Sequence, residues 1–207
     1  MKARAVFLVG FMAAGKSTVG KELARLLGWN FVDLDTRIES RERQTVPQIL
    51  RDRGEREFRL AETAALTDLI NTNLINTDLI NSDSGNGSVN RNTVIALGGG
   101  AFVQEVNRQL LLPWPTVFLD APVSELWLRT LSDGIERPLR TDPNQFARLY
   151  AERLPFYRQA TVTIVTSGKD PASLCDEIRR TLQCWGTTEA AGSSQASSAQ
   201  SEKGEPQ

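Results

Sequence analysis

Residues Gly10-Phe11-Met12-Ala13-Ala14-Gly15-Lys16-Ser17 match the spacing G-x-x-x-x-G-K-[ST]. In that pattern, loop and helix-start N–H groups converge on a polyphosphate, the lysine reaches its outer phosphates and the hydroxyl can ligate Mg²⁺. Lys16 and Ser17 are the residues in those two roles here, with Gly10, Ala13, Ala14 and Gly15 supplying the loop backbone. A second candidate pair is Asp33 and Asp35, read as standing at the end of a short strand. One carboxylate could hold the water shell of a metal and the other could orient a substrate hydroxyl, although a helix N-cap at Asp35 competes with that reading. Gly98-Gly99-Gly100 directly follows an apolar run, where three glycines allow a ligand to approach the main chain closely. A polar stretch, Arg129 to Asp142, carries Arg129, Arg137 and Arg140 together with Gly134 and Pro138. It reads as an arginine-bearing flap of the kind that excludes water during phosphoryl transfer. Arg59 and Arg153, each inside a helical stretch, read by themselves as solvated surface arginines.

These residues need a scaffold, and the hydrophobic pattern describes one. Ala5–Val9 is a compact apolar run of the kind buried on both faces of a parallel sheet, and residues 17–27 follow with helical spacing closed by Gly28. Further strands are expected at 31–33, 93–97, 116–119 and 161–165. Helices are expected at 46–69 (interrupted by Gly54), 123–131, 144–157 and 171–183, the last opened by Pro171. Strands alternating with helices predict an α/β fold around a parallel sheet. Two stretches fall outside the pattern. Residues 69–83 repeat Leu-Ile-Asn-Thr/Ser-Asn/Asp three times. A period of five turns about 500° on a helix, and on a strand it alternates faces, so neither element gains an apolar side. Residues 70–92 are therefore expected to form a largely disordered surface insertion. Residues 186–207, rich in Ser, Ala, Gly and Gln, are expected to form a disordered tail. The remaining 1–185 make one domain.

Composition removes several classes of function. The 207 residues contain no histidine, so histidine triads, histidine metal ligands and histidine general bases are excluded. Lysine plus arginine number 24 against 25 acidic residues, a net charge of −1 that offers no electrostatic reason for a nucleic acid or an anionic membrane as partner. Two cysteines, Cys175 and Cys184, exclude a disulfide scaffold and fit incidental thiols in a reducing cytosol. No signal peptide or membrane span is visible. A soluble, cytoplasmic, monomeric protein is expected.

Taken together and in order, G-F-M-A-A-G-K-S-T (10–18), D-L-D (33–35), G-E-R-E-F-R (54–59), G-G-G (98–100), R-P-L (137–139) and R-L-P-F-Y (153–157) resemble shikimate kinase. The resemblance spans roughly residues 3–183, excepting the insertion. It implies a P-loop, three-layer α/β/α fold similar to nucleoside monophosphate kinases, with a five-stranded parallel sheet, a lid and a substrate-binding helical region. It also implies ATP and shikimate as substrates, Mg²⁺ as cofactor, and 3-phosphoshikimate as product on the route to chorismate and the aromatic amino acids. By resemblance, Asp35, Arg59, Gly98, Gly99, Gly100 and Arg153 would hold shikimate, with Arg59 and Arg153 forking onto its carboxylate. Gly10, Ala13, Ala14, Gly15, Lys16, Ser17, Thr18, Arg129, Arg137 and Pro171 would hold ATP, with Arg129 and Pro171 flanking the adenine. Ser17 and Asp33 would hold the metal, and Lys16, Asp35 and the lid arginine Arg137 would carry the catalysis. Three departures are visible, one of them the pentapeptide insertion, which follows the Arg59 helix. Arg140 stands where the lid commonly reads R-P-L-L, and Ala13-Ala14 replaces an expected Gly-Ala, although a Cβ at residue 13 restricts any positive φ there. Two other readings fit less of the pattern: a kinase for another small hydroxy acid such as gluconate, and a non-catalytic binding protein of the same fold.

Overall fold

In the computed structural model, residues 4–72, 92–132 and 142–192 are described, with side chains through residue 182. Five strands, β1 (Ala5–Val9), β2 (Asn30–Asp33), β3 (Thr93–Ala96), β4 (Thr116–Asp120) and β5 (Val162–Val165), form one sheet in the order β2-β3-β1-β4-β5. Every pairing is parallel. All five residues of β1 and all four of β3 are buried, whereas the edge strands β2 and β5 are partly exposed. This is why β1, β3 and β4 read as unbroken apolar runs. Among the described residues, seven α-helices accompany the sheet: α1 (Lys16–Leu27), α2 (Leu34–Glu42), α3 (Val46–Ile70), α4 (Glu105–Leu111), α5 (Val123–Ser132), α6 (Pro143–Tyr157) and α7 (Pro171–Gly192). The α/β/α architecture and the five-stranded parallel sheet follow the expectation.

The chain runs from β1 out to β2 and back through β3 on one side, then to β4 and β5 on the other. The ends of β3, β1 and β4 therefore border the point where the winding reverses, the place where open parallel sheets bind ligands. Local signals set the elements around it. Thr45 and Gln48 form a reciprocal capping box that starts α3, and Glu39 Oε1 accepts the N–H of Val46 at 2.9 Å, joining α2 to it. Gly54, at φ 83° and ψ 167°, breaks α3 at the expected point. The second part of α3 carries Phe58, Arg59 and Glu62 and buries Leu66, Leu69 and Ile70. Helix α7 packs on α1, where the buried Cys175 thiol donates to the Val19 carbonyl at 3.5 Å.

Some elements differ from the sequence expectation. Helix α7 continues to Gly192 instead of ending near Gln183, because one glycine, Gly186, lowers helix propensity without removing a hydrogen-bond donor, and no proline interrupts the run. Helix α4 has no counterpart in the hydrophobic pattern; seven residues are too few to show a period. Arg129 lies in the last turn of α5 and not in the flap. Most of the 70–92 insertion (73–91), the flap with Arg137 and Arg140 (133–141), and the tail from 193 onward lie outside the described residues.

Ala13 adopts φ 60° in the loop after β1. A left-handed conformation costs a residue with a Cβ about 1–2 kcal/mol, and glycine gives back part of that gain through its freer unfolded chain. Ala13→Gly is therefore expected to raise Tm by one to a few degrees in thermal unfolding, and a lower Tm would show that the Ala13 methyl contributes packing that outweighs the strain.

Candidate active site

The loop after β1 ends at Gly15, which begins α1 in the left-handed region (φ 86°) with no side-chain cap. The first-turn N–H groups thus open onto the crevice, and the dipole of a twelve-residue helix points its positive end there. The Lys16 ammonium arches over the loop, donating to the carbonyls of Gly10 at 2.9 Å and Phe11 at 2.8 Å. Arg129 approaches from α5, donating from Nη1 to the Ala13 carbonyl at 3.4 Å while its other end is paired with Glu125.

Asp33 closes β2 and links two helix starts. Its Oδ2 accepts from Ser17 Oγ at 2.6 Å, and its Oδ1 accepts the N–H of Asp35 at 3.1 Å, making Asp33 the N-cap of α2. The capping role considered for Asp35 belongs to Asp33. Asp35 sits in the first turn of α2, where its Oδ1 is buried without a hydrogen-bond partner. Burial first, and then the neighbouring Asp33 charge, push its carboxyl up to about 6.

Across the cavity, the second part of α3 presents Arg59 and Glu62. Glu62 is fully buried at 0% exposure; its Oε2 accepts from Arg59 Nη1 at 2.8 Å and from Gln104 Nε2 at 3.0 Å. Burial raises the Glu62 pKa, opposed by the Arg59 charge. Arg59 also pairs with the exposed Glu55 at 3.1 Å and lies over the Phe58 ring at 5.0 Å. The Gly98–Gly100 turn after β3 is the floor between the two carboxylates. A Cβ on Gly98 would lie 2.6 Å from Asp35 Oδ1 and 2.7 Å from Glu62 Oε1, so only glycine leaves both oxygens in place. Arg153 on α6 is 8% exposed, donates from Nη1 to the Gly99 carbonyl at 3.3 Å and faces the Phe11 ring at 5.8 Å. The Tyr157 hydroxyl donates to the same carbonyl.

One cavity of about 790 Å³ joins these groups. Ala13, Ala14, Gly15, Lys16, Ser17, Thr18, Asp33, Arg129 and Pro171 line it on the loop side, and Asp35, Arg59, Gly98, Gly99, Gly100 and Arg153 on the other. Gly10 does not line the cavity; its carbonyl accepts from the Lys16 ammonium. Of the expected site residues only Arg137 lies outside the described residues. Glu62, Glu39, Thr166 and Lys169 also line the cavity and were missed by the sequence reading. The spacing of Glu62, three residues after Arg59 on one helix, is the signal that could have found it.

The donor set fits a Mg²⁺ bound with a polyphosphate. Ser17 and Asp33 offer a hydroxyl and a carboxylate in contact, and no cluster of three or more acidic, cysteine or histidine ligands exists among the described residues. Mg²⁺ keeps several waters and takes its remaining ligands from phosphate oxygens, so one or two protein oxygens suffice.

Comparison with known proteins agrees with this geometry. The shikimate kinase family model matches residues 12–82 and 84–183. The chain is 37% identical over 182 residues to the shikimate kinase of Nitrosospira multiformis, covering 86% of this chain and 84% of the relative. It is 40% identical over 183 residues to that of Halorhodospira halophila, covering 86% and 93%. The solved shikimate kinase from Acinetobacter baumannii in complex with shikimate superimposes with a TM-score of 0.74 at 33% identity, covering 87% of this chain and 93% of that one. A gluconokinase from Sinorhizobium meliloti shares the fold at 18% identity and a TM-score of 0.60. A phosphate loop, a carboxylate at the next strand end and an arginine-lined cup in one cavity, in a chain matched over most of its length, place this protein in the shikimate kinase family.

Proposed function

We propose that the protein transfers the γ-phosphoryl group of ATP to a ring hydroxyl of shikimate, giving 3-phosphoshikimate and ADP for the synthesis of aromatic amino acids. The observation that carries this reading is the shared cavity: the loop residues around Lys16, the carboxylate of Asp35 and the two arginines Arg59 and Arg153 all line it. The loop amides and Lys16 hold the β- and γ-phosphates, and Arg129 and Pro171 border the base. Arg59 and Arg153 grip the ring carboxylate through paired N–H donors. Asp35 accepts hydrogen bonds from ring hydroxyls and takes the proton of the attacking one, which a loose phosphoryl-transfer transition state releases late. Ser17 and Asp33 are the residues that would hold Mg²⁺, which would supply positive charge to the phosphate oxygens. Arg137, which the resemblance assigns to a lid, would add positive charge to the transferring group. Ring acid and nucleotide are both held by one chain, which supports a monomeric working unit. A free buried thiol and the use of ATP fit a cytoplasmic setting. Among the described residues, no helix is long and apolar enough to cross a membrane.

A coupled ADP-release assay comparing shikimate, gluconate and no acceptor is the direct test. Turnover with shikimate alone is expected; preference for gluconate would refute the substrate.

Lys16→Met is expected to lower kcat by about 10²–10³ with little change in Tm, since it removes transition-state charge stabilisation and no core packing. Near-normal kcat/KM would contradict the phosphate role.

For Arg59→Ala, the KM for shikimate is expected to rise by about 10–100-fold while that for ATP moves little. Equal losses for both ligands would separate Arg59 from the carboxylate.

Asp35 gives a pH signature. Its carboxylate form accepts the proton, so kcat/KM for shikimate should fall about tenfold per pH unit below about 6, and this limb should vanish in Asp35→Asn. The same shift penalises folding above the ordinary value of 3.8 and most fully above about 6. Asp35→Asn should therefore raise stability by about 1 kcal/mol more at pH 8 than at pH 5. A limb that survives the substitution would assign the titration to another group.

A further inference from the structure

We propose that Gln104 is a positioning residue for the acid substrate: its side-chain amide holds the buried Glu62 carboxylate in the orientation that aims Arg59 into the cup. The inference rests on the reading of Arg59 as a carboxylate anchor and extends it to a residue that does not line the cavity.

Arg59 has two acidic partners of different character. Glu55, on the outer side of α3, is exposed, and such a pair is screened and weak. Glu62 has no exposed side-chain surface, and its bond to Arg59 Nη1 at 2.8 Å is the one that fixes the guanidinium from below. Glu62 in turn is short of donors. Its Oε1 has no partner and faces Gly98, on the side where Asp35 Oδ1 is also unpartnered, so a like charge pushes on it. Only Oε2 is held, by Arg59 and by Gln104 Nε2 at 3.0 Å. Gln104 thus supplies a neutral donor that stabilises the ionised form of Glu62 without competing for the substrate.

The position of Gln104 makes this a dedicated contact. It is the N-cap residue of α4, yet its side chain makes no capping bond to that helix. The amide instead reaches across to α3, a contact between residues 42 apart in sequence. Because Gln104 follows the 3-10 turn Ala101–Val103 that continues the glycine run, the same short segment sets both the floor of the cup and the anchor of its arginine. Removing the amide leaves Glu62 with one partner. The carboxyl then protonates more readily or turns away, and Arg59 is free to swing toward Glu55 and out of the cup.

Steady-state kinetics with each substrate varied separately test this in the full-length protein. Gln104→Leu, which removes the donor at similar volume, is expected to raise the KM for shikimate about tenfold, with the KM for ATP within about twofold and kcat changed far less than KM. Gln104→Glu, which sets a second carboxylate against Glu62, is expected to raise the shikimate KM at least as much. In the double variant Glu62→Gln/Gln104→Leu, the second substitution should add almost nothing to the first. An unchanged shikimate KM, an equal rise for ATP, or full additivity would overturn the proposal. Those results are read against a wild-type protein that turns over shikimate; a wild type with no such turnover refutes the parent reading instead.

Discussion

A carboxylate with no exposed surface needs donors to hold its charge inside a protein, and Glu62 has them on one oxygen only, from Arg59 and Gln104. The Glu62–Arg59 pair orders the acid half of the site. It keeps a guanidinium at 19% side-chain exposure, where it can meet a ligand with little water to screen the contact. It also explains the glycine run, because two unpartnered oxygens converge on the Cα of Gly98 and leave no room for a side chain. Arg59, Glu62, Asp35 and Gly98 are thus one electrostatic unit built from α3, α2 and the end of β3.

The phosphate half depends on backbone more than on side chains. The loop after β1 leads into a helix whose start lacks a side-chain cap, and the Asp33 carboxylate ties that start to α2 through Ser17. Ala13 accepts a left-handed conformation to make the loop. Such local strain persists because the buried strands on either side, β3 and β4, hold β1 and the loop that leaves it. The two halves meet at Asp35, whose burial keeps its carboxyl near a proton-accepting range in a chain that has no histidine to do that work.

Much of this was legible in the residues. The strand-loop-helix context of Lys16 and Ser17, the break at Gly54 and the buried central strands are local patterns, set by backbone geometry and by the period of apolar residues, and they appear where the sequence put them. Two elements were hidden for physical reasons. Helix α4 is too short to display a period, and α7 runs past Gly186 because a single glycine weakens a helix without ending it.

The charged residues divide differently. Their types and spacing already pointed to phosphate binding, because a motif is a statement about spacing along the chain, whereas the acid-binding arginine set was implied only by the resemblance to shikimate kinase. Whether a given arginine is solvent-facing or buried is not written in spacing. Arg153 looks like any helical surface arginine until α6 packs against the turn at Gly99, and Arg59 looks solvated until Glu62 is enclosed and Gln104 reaches it from another helix. Burial and long-range pairing arise only when segments distant in sequence come together, so the chain alone determined which chemistry was available and the tertiary structure decided which groups share a cavity to perform it.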